Sequence, residues 1–584
     1  MDFTEFQRRE FTPMQGFSFI GTGELGGKAK GLALMKEMLD EAIPGGEFEG
    51  IRVDIPQMVV LRTDIFDKFM AENNLYEIAL NSTDDALIAL EFQKAILSVE
   101  IVGDLMNLIS SIRRPLAVRS SAMLEDSLHE PFAGVYESKM IPNRSNDVNT
   151  RFKQLTEAIK FVYSTLFFYK AKQYFKAIHK DISTEKMAVI IQEVVGDKYG
   201  DYFYPTIAGV IRSMNFYPTG NAEPKDGVVQ LAMGMGKSIV DGGKSWCYSP
   251  RYPASPPPYN GIRDMLQNTQ TKFWAINMGQ ILNYDPTAET EFMAHLEISE
   301  AEQAGNLDKL ASTVSVDDSV VPGLSTEGPR LINFAPILQY DALPLNELVK
   351  RILLNAEKSM GEKVEIEFAM RLPNGRSAES YLSGPAPDPR PHFGFLQVRP
   401  LAVSSGIVDI DEASIRPEDM LISPDRAMGN GETDEIRDIV YLKPEVFNIA
   451  NSREMTKEID SINDSLLNEG KPYLLMGFGR WGTSDEWLGI PIVWSQISGV
   501  KVIVETTLPS LNSDFSQGSH FFHNVFSSGV FYFSVLNNQE DKIDWDWLSK
   551  QATKQETKHV RHIELSKPIT VKVDGRSGKG VVLK

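Results

Sequence analysis

Residues 116–138, LAVRSSAMLEDSLHEPFAGVYES, place the tightest constraint on how this chain folds. A short apolar run at 116–118 is followed at once by Arg119 and two serines, and the stretch closes on a small glycine loop at 132–134. This pattern predicts a strand followed by a polar turn. Arginine is a permanent cation whose planar fork suits phosphate oxygens. The stretch therefore predicts an anion site at the end of a strand, or else an exposed turn.

Residues 17–40 predict a strand, a glycine turn and a helix. The three glycines of GTGELG, residues 21–26, match the dinucleotide pattern G-x-G-x-x-G, and Asp40 lies at about the right distance. In that pattern the acidic residue ends a second strand, whereas Asp40 falls inside the predicted helix. Backbone N–H groups at a glycine-rich helix start favour an anion, and Lys28 adds a positive charge. The alternatives are a dinucleotide site, another anion site, and a plain helix start with a surface lysine.

The segments KVEIEF and FLQVR predict two strands joined by a long loop rich in glycine and proline. Glu365 and Glu367 share one face of the first strand because side chains alternate with a period of two. Gln397 and Arg399 share a face of the second strand for the same reason. If the two strands pair, their carboxylate and amide oxygens converge, which suits Mg²⁺. The alternative is a cross-strand salt bridge on the surface.

Residues 187–195, MAVIIQEVV, predict a mostly apolar strand with Gln192 and Glu193 embedded in it. A buried strand that carries a polar pair needs partners for that pair. The alternative is an edge strand whose polar residues face water.

Composition bounds the class of protein. The 584 residues are too many for one hydrophobic core and indicate about three or four folding units. The formal net charge of −20 argues against a nucleic-acid or anionic-membrane binder. A single cysteine excludes an intrachain disulfide, and neither a signal-peptide core nor a membrane-length apolar run is visible. We expect a cytoplasmic protein with no membrane and no nucleic-acid partner.

The C-terminal third is less informative. Residues 403–440 are acidic and loop-rich, residues 446–467 predict a helix, and a final unit begins near Tyr473. His520 and His523 lie three apart, a spacing that permits metal binding on a helix, but no third ligand is visible nearby. We therefore expect a first domain at 1–405, a linker and helical connector at 406–470, and a C-terminal α/β domain at 471–584.

Five motifs in the same order resemble those of a known family. The first 400 or so residues resemble the ATP/pyruvate-binding domain of phosphoenolpyruvate synthase and pyruvate, phosphate dikinase. The resemblance implies an α/β fold class, an ATP-grasp-like domain of several subdomains, followed here by a smaller C-terminal α/β domain. It also accounts for the glycines that had matched the dinucleotide pattern. The matching motifs are GGKAKGL (26–32), VRSSAMLEDS…FAGVYES (118–138), IIQEVV (190–195), EIEF (365–368) and LQVRP (396–400).

The resemblance implies ATP and Mg²⁺ as cofactors and assigns roles by motif. The residues implied to contact the ATP phosphates are Lys28 and Arg119. The loop implied to cover the phosphates is Phe132, Ala133 and Gly134. The residues implied to line the adenine are Gln192, Glu193 and Val195. The residues implied to hold Mg²⁺ are Glu367 and Gln397, and Arg399 is implied to face the transferred phosphoryl group. Arg399, Arg119 and Lys28 are thus the expected catalytic residues. Phosphoryl transfer mainly needs positioning and charge neutralisation, which such residues provide.

The sequence also departs from the family pattern. Family enzymes pass the phosphoryl group to a histidine in a TSHAAI-like motif, and no such motif occurs here. The residues after 405 are too few for the family's barrel of about 250 residues. GSHFFHN, around His520, shares a Ser-His pair with the missing motif. The leading hypothesis is an ATP-dependent phosphotransferase acting on a small molecule or on a phosphohistidine partner protein. The alternative is a non-catalytic ATP-binding sensor or regulatory subunit, with the oligomeric state open in either case.

Overall fold

A computed structural model shows that the chain folds into helices and strands, and that the strands form several sheets. It describes residues 4–6, 17–125, 134–178, 180–215, 218, 220–257, 261–279, 284–324, 327–373, 388–401, 408, 410, 415–483, 487–508, 521, 525, 528–535, 542–574 and 577–584. The predicted site residues Phe132 and Ala133 lie outside these ranges, as do His520 and His523. In the described part, no helix is long and apolar enough to cross a bilayer.

The first part of the chain forms a six-stranded sheet with the strand order β1-β2-β5-β8-β6-β7. Its elements are β1 (Thr4–Glu5), β2 (Phe17–Ile20), α1 (Gly27–Ala42), β3 (Glu47–Phe48), β4 (Ile51–Asp54), β5 (Met58–Leu61), α2 (Thr63–Glu72), α3 (Tyr76–Asn81), α4 (Asp85–Lys94), α5 (Val99–Ser111), β6 (Leu116–Ala122), β7 (Lys139–Ile141), α6 (Val148–Thr165), α7 (Tyr169–Ala177) and β8 (Met187–Glu193). The strands β3 and β4 are not part of this sheet and belong to the seven-stranded sheet described next.

The second part forms a seven-stranded sheet with the order β13-β12-β11-β19-β20-β4-β3, together with a four-stranded and a three-stranded sheet. Its elements are β9 (Asp197–Tyr199), β10 (Tyr202–Tyr204), β11 (Ile207–Arg212), β12 (Val228–Ala232), α8 (Lys237–Val240), β13 (Trp246–Tyr248), α9 (Ile262–Asn268), β14 (Lys272–Asn277), β15 (Met293–Glu297), α10 (Ile298–Gln303), β16 (Ala311–Val314), β17 (Val320–Pro322), β18 (Arg330–Ile332), α11 (Ala335–Leu338), α12 (Leu345–Met360), β19 (Val364–Arg371) and β20 (His392–Pro400).

Strand β8 is buried on both faces and separates two hydrophobic cores. Ile191 belongs to the core that β6 and β8 share with the helices α2 to α6. Its neighbour Ile190 belongs to the core that contains α1 and the strands β19 and β20. Side chains alternate across a strand, so the apolar run MAVIIQE can serve both cores at once. The second face of β8 therefore looks into the junction between the six-stranded and the seven-stranded sheets.

The apolar periodicity of residues 152–180 predicts a single helix, but the structure contains two, α6 and α7. The hydroxyls of Ser164 and Thr165 donate to the carbonyls of Phe161 and Val162, at 2.6 and 2.8 Å. Such bonds compete with the helical backbone pattern and often end or bend a helix. Phe168 then has an extended backbone, with φ −67° and ψ 158°. The apolar periodicity continues across this break, which explains the expectation of one helix.

The C-terminal part forms a nine-stranded sheet and a separate two-stranded sheet, which consists of β25 and β26. Its elements are β21 (Met420–Ile422), β22 (Arg426–Met428), β23 (Gly431–Leu442), α13 (Ser452–Glu469), β24 (Tyr473–Phe478), β25 (Arg480–Trp481), β26 (Gly489–Ile490), β27 (Val500–Thr506), β28 (Phe531–Val535), α14 (Trp545–Lys550), β29 (Thr553–Glu556), β30 (Val560–Asp574) and β31 (Lys579–Leu583). The strands β23, β24, β27 and β28 run parallel to one another at the centre of this sheet.

The segment 406–470 was expected to be a linker and helical connector. In the structure it contains β23, a central strand of this sheet, and the helix α13. The first half of β23, GETDE, is polar and partly exposed, and its second half is buried. The sequence of the first half therefore resembles an acidic loop. The C-terminal part contacts both of the other parts. Tyr169 in the first part donates to Asp464 at 3.1 Å, and the Thr483 hydroxyl donates to the Gly242 carbonyl in the second part at 3.3 Å.

Candidate functional site

Arg119 connects the six-stranded sheet with the seven-stranded sheet. Its Nη1 donates to the Leu396 carbonyl at 2.8 Å and to Gln192 Oε1 at 3.2 Å. Its Nη2 donates to Gln397 Oε1 at 2.7 Å. Gln192 and Gln397 are 2 % and 3 % exposed. The structure thus brings together three of the predicted site residues, which come from strands that are far apart in the sequence.

All three acceptors bonded to Arg119 are neutral oxygens, two from side-chain amides and one from the backbone. The guanidinium is held in a fixed orientation, but these contacts do not cancel its charge. An oriented guanidinium fork whose hydrogen bonds within the described residues are to neutral oxygens is well suited to bind a phosphate.

Lys28 lies in the first turn of α1, which approaches the end of β6 very closely. Gly26 has a left-handed φ of 75°, and a Cβ there would lie 1.7 Å from the Ser121 carbonyl oxygen. A Cβ on Gly27 would lie 1.5 Å from the Glu125 carbonyl oxygen. Only glycine permits this approach at both positions. The glycines of GGKAKGL therefore serve to place Lys28 against β6.

The ammonium group of Lys28 is paired with Glu125 at 2.6 Å and lies 3.2 Å from the Ser120 hydroxyl. Glu125 is 1 % exposed and also accepts from Ser120 Oγ and from the Ala122 N–H, both at 3.0 Å. This carboxylate therefore fixes the lysine at the end of β6, the strand that carries Arg119. Glu125 was not among the predicted site residues, although it belongs to the motif VRSSAMLEDS.

The turn at residues 21–23 does not offer its backbone N–H groups to a ligand. The carboxylate of Asp64 accepts from the N–H groups of Thr22 and Gly23, at 2.9 and 2.8 Å. Asp40 lies within α1, as predicted, and is paired with Lys36. The structure therefore does not support a dinucleotide site. Two N–H groups of the glycine turn are already bonded to Asp64, and Asp40 does not lie at the end of a strand.

The strands β19 and β20 pair as predicted, with Glu365 opposite Arg399 and Glu367 opposite Gln397. An irregularity in the pairing follows Glu367. Arg399 Nη2 lies 4.0 Å from Glu367 Oε1, and Arg399 Nε donates to Glu365 Oε1 at 2.8 Å. The carboxylate, amide and guanidinium groups therefore converge on one face of the strand pair.

Arg399 is held by a buried carboxylate that it shares with a second arginine. Arg399 and Glu365 each expose 1 % of their side chains. Arg212 Nε donates to Glu365 Oε2 at 2.5 Å, and Arg212 Nη1 donates to Gln230 Oε1 at 2.9 Å. Burial alone would raise the pKa of Glu365, but Arg399 and Arg212 outweigh burial and lower it. One carboxylate is thus shared by two guanidinium groups.

The three residues predicted to line the adenine do not lie together. Gln192 bonds Arg119, whereas Glu193 and Val195 line a cavity of about 440 Å³ that Gln192 does not line. Arg114 Nε lies 3.9 Å from Glu193 Oε2 in this cavity. Burial raises the pKa of Glu193, and Arg114 offsets the rise only in part. Adjacent residues of a strand point to opposite faces, which separates Gln192 from Glu193.

A small apolar cluster lies beside Arg119. Ala117 precedes Arg119 by two residues in β6, so both side chains lie on one face. Val194, two residues after Gln192, packs with Ala117. The other buried members of this cluster are Phe203, Met235, Ile276 and Met278. A cation next to an apolar surface is the combination found in many small-molecule sites.

The remaining predicted residue that the structure describes is Gly134, which has a left-handed φ of 63°. Residues 126–133, which precede it, lie outside the described ranges. Glu365 and Arg212 belong to the site but were not among the predicted residues. The period-two pattern of KVEIEF did place Glu365 on the same face as Glu367. No sequence signal pointed to Arg212, because its contact depends on the pairing of β11 with β19.

The sheets and the helices that pack on them define an α/β fold. A family model described as "Pyruvate phosphate dikinase, AMP/ATP-binding domain" matches residues 22–418. This match covers more than half of the 584 residues, and the chain therefore belongs to this family. The resemblance seen in the motifs and the ATP-grasp-like α/β fold class are thus confirmed. No protein with a curated description matches the chain.

Proposed function

We propose that this chain is an ATP-dependent phosphotransferase, with the phosphoryl acceptor supplied as a small molecule or as a phosphohistidine partner protein. The observation that carries the proposal is the position of Arg119. It bonds Gln192, from the strand of the motif IIQEVV, and Gln397, from the strand of LQVRP. The family match supports the ATP-binding part of this proposal.

Mg²⁺ fits the residues of β19 and β20. Glu367 and Gln397 are directly opposite each other in the strand pair and provide carboxylate and amide oxygens. Mg²⁺ prefers oxygen ligands and usually takes few from the protein, with water and phosphate oxygens as the others. These two residues would hold the ion, which when bound neutralises charge on the phosphate groups.

Three basic side chains would bind the phosphate groups or provide positive charge near them. Arg119 would bind phosphate oxygens with its oriented fork, and Lys28 would do so once an anion competes with Glu125 for its ammonium group. Arg399, fixed by Glu365, would provide positive charge close to Glu367. The apolar cluster around Ala117 and Val194 is the nearest surface on the Arg119 face for a base.

The test is to incubate the full chain with Mg²⁺ and ATP labelled separately at the β and γ phosphates. AMP with labelled phosphate, or an acid-labile phosphoprotein, would support dikinase-type transfer. Lys28→Met should abolish the signal. Lys30→Met is the matched control, because Lys30 lies in the same helix, is exposed and pairs with Glu24 at 2.7 Å. Labelled product that persists unchanged in Lys28→Met would contradict the assignment of Lys28.

One observation favours the second candidate function, a non-catalytic ATP-binding regulator. Arg399 is 1 % exposed and is bonded to a buried carboxylate, so its charge is partly compensated. Tight ATP binding without turnover, even after cell extract is added as a source of acceptors, would support this candidate. Transfer by the wild type that Arg399→Ala abolishes, with much of the ATP affinity retained, would instead support the phosphotransferase.

A further inference from the structure

A histidine of the C-terminal part is buried beside the helix α13. His559 is 2 % exposed and lies directly before β30. The Thr557 N–H donates to the Val560 carbonyl at 2.9 Å, and the Val560 N–H donates to the Thr557 hydroxyl at 3.1 Å. The His559 carbonyl accepts from the Lys443 N–H at 2.9 Å. These hydrogen bonds fix the turn that carries the imidazole.

Glu458 of α13 orients this imidazole. Its Oε1 lies 2.8 Å from His559 Nδ1, and its Oε2 accepts from the Thr557 hydroxyl and, at 2.9 Å, from the His559 backbone N–H. An ionised carboxylate can only accept hydrogen bonds, which assigns the ring proton to Nδ1. Nε2 of the neutral imidazole then carries a lone pair. A carboxylate bonded to one ring nitrogen is the usual support of a histidine that binds a metal through the other.

The second ring nitrogen lies near another carboxylate of the same helix. Glu454 is one turn before Glu458 in α13, and its Oε2 is 3.8 Å from His559 Nε2. That distance is too long for a hydrogen bond. Within the described ranges, no hydrogen bond to Nε2 is present. A nitrogen lone pair and a carboxylate oxygen repel each other unless a cation lies between them.

The separation of these atoms fits a transition-metal ion. One oxygen of each glutamate and a ring nitrogen of His559 all lie within 4.8 Å of one another. Zinc binds imidazole nitrogen and carboxylate oxygen at about 2.0–2.2 Å, so two ligands of a tetrahedral ion lie about 3.4 Å apart. The 3.8 Å between Nε2 and Glu454 Oε2 is close to that value. A charge-assisted hydrogen bond would instead bring the two atoms to about 2.8 Å.

Glu454 also leaves the cluster open to solvent. Its side chain is half exposed, whereas Glu458 and His559 are mostly buried. Glu454 is paired with Lys558 at 2.8 Å, but the lysine side chain is 63 % exposed. An ion pair between exposed side chains contributes little stability. An ion that reaches the cluster therefore displaces only a weak contact.

We propose that this cluster binds a divalent transition-metal ion of the zinc type, with His559 Nε2 and Glu454 as ligands and Glu458 as the carboxylate that orients the histidine. The ion would tie α13 to the turn before β30, with water as its other ligands. An imidazole ligand favours zinc over Mg²⁺, which prefers oxygen ligands. The cluster shares no residue with the group bonded to Arg119, and the proposal does not depend on phosphoryl transfer.

The experiment is isothermal titration calorimetry of the full chain with Zn²⁺, in a buffer that contains excess Mg²⁺ to saturate sites made of oxygen ligands alone. Zn²⁺ should bind, and Glu454→Gln should weaken this binding by about tenfold, because it removes a charged ligand. Glu469→Gln is the matched control and should leave Zn²⁺ binding unchanged. Glu469 lies in the same helix, is exposed and pairs with Lys471 at 2.9 Å.

Two further variants keep the proposal falsifiable. His559→Gln should abolish Zn²⁺ binding. Lys558→Gln should strengthen binding by about threefold, because it removes the cation that competes for Glu454. Glu454 and Lys558 are at exposed positions, so their variants still decide the question if His559→Gln fails to fold. Absence of Zn²⁺ binding in the presence of Mg²⁺ would overturn the proposal. So would Zn²⁺ binding that Glu454→Gln and Lys558→Gln leave unchanged.

Discussion

Two buried acidic residues near the candidate site have opposite surroundings. Glu365 is 1 % exposed and lies between Arg212 and Arg399, which lower its pKa against the effect of burial. Glu185 is 5 % exposed and lies near Glu125, beyond the end of β6. Burial raises the pKa of Glu185 to about 7, with a smaller rise from Glu125, although backbone N–H groups oppose the shift. Similar burial therefore gives two different charge states.

The comparison assigns different electrostatic roles to the two sides of the site. On the β19–β20 side, a carboxylate shared by two guanidinium groups stays ionised at neutral pH, so the positions of both arginines are fixed. On the β6 side, Lys28 and Glu125 form a pair, and Glu185 titrates close to physiological pH. Arg119 lies between the two sides and bonds neutral oxygens.

Removing Glu365 should have the largest effect, because it leaves two buried guanidinium groups without their shared carboxylate. We expect Glu365→Ala to lower the free energy of unfolding by about 3–5 kcal/mol. The measurement is the midpoint of the first unfolding transition in urea. Glu357→Ala is the control. Glu357 pairs with Lys363 at 2.6 Å, but both side chains are partly exposed, and the expected loss is below about 1 kcal/mol. Equal losses for the two variants would contradict the role given to Glu365.

The next largest effect concerns pH. The pKa of Glu185 is about 7 in the folded state, above its ordinary value of 4.5, so the folded state holds this proton more tightly than the unfolded state. The stability contributed by the protonated form is complete below about pH 4.5 and is lost as pH rises to about 7. The loss amounts to about 3 kcal/mol for a shift of this size.

Glu185→Gln removes this titration and keeps an oxygen that can accept from the Met123 N–H, which lies 2.7 Å from Glu185 Oε1. The variant should therefore gain stability relative to the wild type as pH rises from 5 to 8. Melting temperatures across this range provide the measurement. Glu77→Gln, at an exposed position of α3, should show no such trend. A constant difference between Glu185→Gln and the wild type would refute the assigned charge state.

Arg119→Gln should have a smaller energetic effect, seen in ATP binding. The variant loses an oriented cation, and we expect ATP affinity to fall by roughly 2 kcal/mol, or about 30-fold. Calorimetric titration with ATP and Mg²⁺ measures the change. The control is Arg113→Gln, since Arg113 contacts the Ser145 carbonyl at an exposed position. Unchanged ATP affinity in Arg119→Gln would show that the nucleotide binds elsewhere.

Features of the site that depend on a single strand or a single motif could be predicted from the sequence. The period-two pattern of KVEIEF and FLQVR predicted that Glu365 and Glu367 share one face and that Gln397 and Arg399 share another, and the structure pairs the two strands so that these faces meet. The change from apolar to polar residues in VRSS predicted a strand at 116–118 followed by a polar turn, and this was wrong, because β6 continues to Ala122 and Arg119 lies inside it, paired with β8. The contact of Arg212 with Glu365 could not be predicted, because it joins residues 153 positions apart through the order of the sheet.

The surroundings of Glu185 also could not be predicted from the sequence. Its raised pKa depends on burial by several elements and on Glu125, which follows a different strand. The segment 406–470 shows the same limit of prediction from local sequence. The first half of β23 is acidic and exposed and therefore resembles a loop, although β23 is central to its sheet. Local patterns identify strands and motifs, and tertiary packing then decides which charges meet.

Ser120→Ala should have the smallest effect and refines the description of the β6 side. The Ser120 hydroxyl is buried, donates to Glu125 at 3.0 Å and accepts from Lys28 at 3.2 Å. The direct pair between Lys28 and Glu125 remains in the variant, so we expect a loss of about 1 kcal/mol in stability. ATP affinity should change less than in Arg119→Gln, because no charge is removed. A loss of ATP affinity as large as that of Arg119→Gln would mean that the hydroxyl itself contacts the nucleotide, and that the β6 side binds phosphate through Ser120 as well as Lys28.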